Sequence, residues 1–252
     1  MIEICALASG SNGNCYYIGN EDEAVLIDVG IYHKKLLERL EDAGLDKNKI
    51  KAAFISHEHM DHIQGARSTS NKLGIPIYYT KTTYFKSYKK NRAQNFKIFT
   101  PDTPVKVGEF TIHPFAKQHD AVDPCSFRVE IDNKNIGVIT DVGETDSILQ
   151  NEFSKCDAVF LEANYDEDTL RTGLYPYHLK ERVSSSKGHL SNYQAIELIE
   201  KHASPQLKTI FLAHISAANN THDIVREEFS IFNGKYDIKL CSRKEVSELV
   251  KL

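Results

Sequence analysis

A layered α/β fold is what this sequence predicts, on three observations. Short apolar runs alternate with segments of helical spacing along one chain, the pattern of sheets covered by helices. No internal repeat, low-complexity tract or Pro/Gly/Ser linker interrupts the 252 residues, so one domain spanning residues 1–252 is expected. Histidine and aspartate stand where apolar runs end, at Asp28, His57, His119, Asp141 and His214, and sites in layered α/β proteins gather at such edges.

Taken in order, Ile2 to Ala8 and Asn14 to Ile18 read as strands joined by Ser9-Gly10-Ser11-Asn12-Gly13, whose glycines permit positive φ. That turn either aims amide N–H groups at an anion or closes a tight hairpin. Glu23 to Asp28 is a buried strand ending on a carboxylate, and such an Asp fixes backbone amides or a neighbouring ligand histidine. Leu36, Leu37 and Leu40 give helical spacing, stopped at Gly44. A strand through Ala52–Ile55 follows, then a helix from Asp61 and a strand over Ile75–Tyr79. From Thr80 a basic helix or loop carries Tyr84, Phe85 and Tyr88; it either stacks bases and binds phosphates or turns its aromatics into the core.

Phe110 to Phe115 is a strand before the polar turn Lys117-Gln118-His119-Asp120. Phe127–Ile131 and Ile136–Thr140 make a hairpin over Asp132-Asn133-Lys134-Asn135, and Asp141 ends its second strand. Ala158–Leu161 is a buried strand and Tyr175–Lys187 a polar helix. Ser191 or Asn192 caps a helix through Ala195, Ile196, Leu198 and Ile199. Thr209–Ala213 is the last central strand; a short strand near Tyr236–Leu240 and a helix after Ser242 complete the chain.

A composition 41 % hydrophobic and 26 % charged is that of a globular protein. No apolar run nears the roughly 20 residues of a membrane span, and Met1 leads into Ile2-Glu3-Ile4-Cys5 without a signal-like core, so a cytoplasmic chain without a membrane partner is expected. The five cysteines are scattered and never form C-x-x-C, which points to reduced core residues. Between His62 and Pro101 there are eight Lys and Arg and no Asp or Glu, a basic segment suited to a polyanion.

The densest chemistry lies in Ser56-His57-Glu58-His59-Met60-Asp61-His62. In an extended turn His57 and His59 point the same way, since side chains alternate with period two. Asp61 and His62 then project from a first helical turn beside them. Imidazole and carboxylate donors suit divalent ions such as Zn, Mn or Fe, and pairs of ions about 3.5–4 Å apart serve hydrolytic chemistry.

The ordered set Asp28, then H-x-H-x-D-H at His57, His59, Asp61 and His62, then His119, Asp141 and His214 resembles the metallo-β-lactamase superfamily. The resemblance implies an αββα four-layer sandwich with a site for two divalent metal ions on one edge. Carried over, it places His57, His59 and His119 on one metal, Asp61, His62 and His214 on the other, Asp141 between them, and Asp28 behind the ligands. Ala8 to Asn14, His119 to Pro124, Glu162-Ala163-Asn164 and Gly188-His189-Leu190-Ser191-Asn192 are similar to the YycJ/WalJ branch, regarded as DNA 5′-to-3′ exonucleases. The Gly188–Ser191 stretch also resembles a tRNase Z motif, with Leu190 as a departure, in which the histidine assists the leaving oxygen; that role falls to His189. Asp61 would steady the nucleophile. Ser11, Asn12, Asn14, Lys89 and Lys90 become candidate contacts to nucleic acid phosphates. A small-molecule hydrolase of the same fold, such as a thioesterase or cyclic-nucleotide phosphodiesterase, and a regulatory module with an inert metal site are the competing readings.

Overall fold

The computed structural model describes residues 1–252. The first sheet contains β1 (Glu3–Ala8), β2 (Cys15–Gly19), β3 (Ala24–Ile27), β4 (Ile50–Phe54), β5 (Ile77–Thr80) and β6 (Phe96–Phe99). The second contains β7 (Val105–Val107), β8 (Phe110–Ala116), β9 (Cys125–Ile131), β10 (Lys134–Ile139), β11 (Ala158–Glu162), β12 (Thr209–Ala213) and β13 (Asp237–Leu240). The last strand, β14 (Val250–Lys251), returns to the first sheet beside β1, giving two seven-stranded sheets in the orders β14-β1-β2-β3-β4-β5-β6 and β13-β12-β11-β10-β9-β8-β7.

Period-two alternation builds the layers. Ile4, Ala6, Tyr16, Ile18, Val25 and Ile27 turn inward to meet Phe127, Val129, Ile136, Val138, Phe160 and Phe211 of the opposite sheet. Their neighbours Cys5, Leu7, Tyr17 and Leu26 face the other way, against α1 (His33–Asp42) and, beyond the short α2 (Met60–Ile63), α3 (Ala66–Leu73). On the far side Val159, Leu161, Ile210 and Leu212 meet α5 (Ser147–Phe153) and α8 (Asn192–His202). Three apolar interfaces separate four layers, so the αββα sandwich holds. The remaining helices are α4 (Lys81–Lys86), α6 (Glu167–Thr172), α7 (Tyr177–Val183) and α9 (His222–Glu228). None is long and apolar enough to cross a membrane. All five cysteines are free and buried, and burial pushes the Cys5 thiol up to about 12.

Several expectations need correction. The residues after Ser242 form no helix: Ser247 bonds Ala6 through both its amide and its hydroxyl, and Val250 pairs with Ile4, so the backbone satisfies itself on the edge of β1. The helix placed at Asp61 starts at Met60 and breaks before Gly65. At Gly65 a side chain would collide with the carbonyl of Ile31, so that break is the price of a close backbone approach. The four-residue turn between β9 and β10 is a two-residue one, with Asp132 and Asn133 both at positive φ, as a right-twisted hairpin requires. Strands β6 and β7 and helices α5, α6 and α9 lack a strong periodic signal in their few residues. Ser191 caps α8 in a full capping box with Gln194.

Phe127 is fully buried between the sheets against Phe54 and Phe99. Phe127→Ala should cost about 3–5 kcal/mol, read as a lowered urea midpoint with little change in slope.

Candidate metal centre

Strands β3 and β4 of one sheet and β8, β10, β11 and β12 of the other all end at the same edge, and there the chain leaves ligand-type residues. Asp28 follows β3, His57 to His62 follow β4, His119 follows β8, Asp141 follows β10, Glu162 closes β11 and His214 follows β12. Those at the ends of β3, β10 and β12 share an unusual backbone: Asp28, Asp141 and His214 lie at φ 61°, 54° and 52°. Asp and His tolerate this left-handed region better than most residues, and such strain collects at sites that turn a side chain sharply out of a strand. Gly30 permits another close approach, because a side chain there would collide with the Asp61 carbonyl.

The geometry gathers every histidine and aspartate named for the site. His57, His59 and His119 bring ring nitrogens close to one another, the Asp61 carboxylate meets the His62 and His214 nitrogens, and Asp141 belongs with His57 and His62. Asp141 Oδ2 lies 3.0 Å from His62 Nε2, and its Oδ1 lies 3.6 Å from His214 Nε2 and 3.9 Å from His119 Nε2. The imidazoles are aimed from behind. His62 Nδ1 meets Asp28 Oδ2 at 2.7 Å, His57 Nδ1 meets Ser56 Oγ at 2.9 Å, His119 Nδ1 donates to the Gly188 carbonyl at 3.0 Å, and His214 Nδ1 meets Glu162 Oε1 at 3.0 Å. Asp28 also accepts from the Ser56 amide and hydroxyl at 2.8 and 2.9 Å, so one carboxylate ties β3 to the histidine turn. Holding Nδ1 leaves Nε2 to face the cluster, the usual support for a metal-binding imidazole.

The donors fit a metal. His119 Nε2 and His214 Nε2 are buried without a hydrogen-bond partner. Such orphaned atoms cost roughly 1–3 kcal/mol each unless something binds them. Electrostatics agree. Burial alone would lower the His62 and His214 imidazoles, but Asp141, Asp28 and Asp61 hold His62 well above its usual range, and Asp141, Asp61 and Glu162 raise His214 to about 10. Burial pushes Asp141 up, and His214 and His62 overcome it, holding the carboxyl well below its usual range. Burial pulls His119 down to about 4. Protonated His62 and His214 thus offset the buried carboxylates, a balance that a divalent cation would take over.

The substrate contacts foreseen fare differently. Asn14 is fully buried, and its amide donates to Asp61 Oδ2 at 3.3 Å and sits 3.0 Å from His62 Nε2, so it supports the ligands and is not open to a phosphate. Ser9 to Gly13 form the hairpin turn between β1 and β2; Ser11 lines the cleft over the cluster, while exposed Asn12 does not. Lys89 and Lys90 are exposed in the turn after α4 and lie outside the cleft lining, although Asn91 beside them contacts Met60. Of the aromatics nearby, Tyr84 stacks on Phe96 and Tyr79 packs edge-on to it, whereas Phe85 and Tyr88 are exposed.

Residues outside the expected set complete the site. Glu162 Oε1 lies 2.8 Å from His189 Nδ1, and Glu162 Oε2 accepts from the Val142 amide at 2.8 Å. Burial raises the Glu162 carboxyl, but His189 and His214 bring it to about 2. It carries the same signal as Asp28, a carboxylate closing an apolar strand. Asn164 donates to the His214 carbonyl at 2.8 Å. From α7, Leu179, Arg182 and Val183 wall the cleft, and Arg182 pairs with Asp120 at 2.6 Å; nothing in the periodicity of α7 marks them.

Fold and cluster together define a metal-dependent hydrolase. The chain belongs to the β-lactamase superfamily, whose domain model matches residues 24–215. It is 32 % identical over 223 residues to a Streptococcus pneumoniae (strain D39) protein named exodeoxyribonuclease WalJ, covering 86 % of this chain and 83 % of that one. It is 29 % identical over 232 residues to a Bacillus anthracis protein named exodeoxyribonuclease YycJ, covering 91 % and 88 %. The metallo-β-lactamase fold protein YhfI of Bacillus subtilis superposes with a TM-score of 0.72 at 19 % identity, over 98 % of this chain and all of that one.

Asp28→Asn keeps the shape of the side chain and weakens its hold on His62 and Ser56. Metal affinity, measured by competition with a chromophoric chelator, should fall roughly 10- to 100-fold while the circular dichroism spectrum is retained.

Proposed function

We propose that this chain hydrolyses phosphodiester bonds in nucleic acid, and that it shortens DNA from the 5′ end. The observation that carries the reading is the open ring of ligand atoms at the cleft floor with His189 beside it, backed by Glu162 at 2.8 Å. The two relatives named as exodeoxyribonucleases, matched over most of their length, support DNA as the substrate.

In this reading His57, His59 and His119 would hold one divalent ion and Asp61, His62 and His214 a second, with Asp141 available to either. Divalent ions so held act as Lewis acids on phosphoryl oxygens and bring the pKa of water from ~15.7 toward ~7. Asp61, with Oδ2 3.5 Å from His62 Nε2 and 3.7 Å from His214 Nε2, has its other oxygen to orient the attacking water. His189 has Nδ1 committed to Glu162, which leaves Nε2 to pass a proton to the departing oxygen as the phosphorus–oxygen bond breaks. Ser11, at the cleft rim, donates its hydroxyl to a phosphate oxygen. Lys89 and Lys90 attract the strand where it runs beyond the cleft, without reading its sequence.

The test is one assay of purified protein with Zn, Mn or Fe added back, against labelled single-stranded and duplex DNA, RNA and a thioester. Progressive loss of nucleotides from the 5′ end of DNA is expected. Thioester hydrolysis with intact DNA would instead make the protein a small-molecule hydrolase. His59→Ala and Asp141→Ala should each reduce DNA hydrolysis to background with the fold retained. For His189→Ala the rate should drop roughly 10²- to 10⁴-fold while bound metal, measured by emission spectroscopy, stays at the wild-type level.

A further inference from the structure

Beside the metal cleft lies a second cavity of about 290 Å³, lined among others by Ser216, Thr221, His222, Ser242, Arg243 and Lys244. We propose that it is a subsite for a further phosphate group of the substrate strand, next to the one being hydrolysed. The proposal rests on the nuclease reading and deepens it.

The chemistry of the lining selects an oxyanion. No carboxylate lines the cavity, while an arginine, a lysine and a histidine do. Its hydroxyls are already used as acceptors: Ser216 Oγ takes the Asn219 amide at 3.2 Å, Thr221 Oγ1 the Ile224 amide at 3.1 Å, and Ser242 Oγ the Lys244 amide at 3.0 Å. Each O–H proton is therefore left to donate, so the walls offer donors and positive charge. A cation finds no charged acceptor there, and although Ile215, Ala217 and Cys241 give the wall an apolar part, its polar groups are donors. Arginine in such a setting favours phosphate through paired N–H donors.

The cavity is held in place and joined to the cleft. The Cys241 amide donates to the Leu212 carbonyl at 2.9 Å, the Ser242 carbonyl accepts from the Ser9 amide at 3.2 Å, and the buried Arg39 binds the Lys244 carbonyl. Ser216 lines both the cavity and the metal cleft. Arg243 Nη2 donates to the Ile215 carbonyl at 3.1 Å and reaches the hydroxyl of Ser11, another cleft residue, at 3.4 Å. Gly10, at φ +132°, makes this crossing achievable, because a Cβ there would stand 2.8 Å from Arg243 Nε. The glycine in the first turn thus clears a path for a guanidinium from the far end of the chain. A strand with one phosphate over the metal ligands carries others on either side, and this is the donor-lined space adjoining that cleft.

The test compares wild type with the Arg243→Gln/Lys244→Gln double variant and with Arg243→Lys, as full-length metal-loaded chains. Substrates are duplex DNA with a 5′-phosphate, the same duplex with a 5′-hydroxyl, and bis(p-nitrophenyl) phosphate, which is too short to span both sites. In the double variant kcat/KM on DNA, taken relative to that on the small diester, should fall at least about tenfold, chiefly through KM, and Arg243→Lys should recover part of it. A fall confined to the 5′-phosphorylated duplex assigns the cavity to a terminal phosphate; a fall on both duplexes assigns it to an internal phosphodiester. An unchanged ratio, or parallel loss on DNA and the small diester, overturns the subsite. If the wild type leaves DNA intact, the nuclease reading is what fails. The cavity is then judged by calorimetric titration of inorganic phosphate into the metal-free chains: binding weakened in the double variant upholds an anion site, and equal binding overturns it.

Discussion

A carboxylate with 2 % of its surface exposed, ringed by His62, His119, His189 and His214, is the constraint on which the site depends. An ionised Asp141 without compensation would cost several kcal/mol in desolvation. His214 and His62 provide most of the compensation, with His119 adding less, and they can do so only if each ring is held in one orientation. Asp28, Glu162, Ser56 and the Gly188 carbonyl do that holding, so the hydrogen bonds behind the site follow from the charge in front of it. Partial removal is worse than none, because a buried network with one member missing leaves others unpaired.

The sheets supply the rigidity that such an arrangement needs. Strands ending together at one edge bring residues distant in sequence within bonding distance, and left-handed turns at Asp28, Asp141 and His214 swing their side chains off the strand direction. Those conformations cost of order 1–3 kcal/mol each and persist where the surroundings over-determine them. Here the surroundings are three apolar interfaces and two hydrogen-bonded sheets.

Much of this was legible in the residues. Apolar runs ending in His or Asp mark strands by their composition and put ligand-type residues at one edge, which is why His57 through His62, His119, Asp141 and His214 stand out in the sequence. Asn14 misleads, since a polar residue after a glycine-rich turn looks exposed, and only the approach of Gly30 to the Asp61 backbone reveals it as buried. Glu162 closes a strand as Asp28 does, yet its two histidine partners, His189 and His214, lie far along the chain. Arg182 and Arg243 come to the cleft and the cavity beside it through tertiary placement alone. The residues after Ser242 read as a helix because their spacing allows one; the unpaired edge of β1 offers their backbone a better set of partners.

The cluster divides between the two halves of the sandwich. His57, His59, Asp61 and His62 hang from the first sheet, and His119, Asp141 and His214 from the second. A cation bound by both groups would therefore add a cross-link to the polar contacts already joining the halves at this edge, such as His62 with Asp141 and the His214 amide with Ser9. It binds only the assembled chain, so its concentration adds to folding stability, by about 2.7 kcal/mol when it stands at 100 times its dissociation constant. Were a cation held there, its supply would bear on how long the protein stays folded as well as on whether it can react.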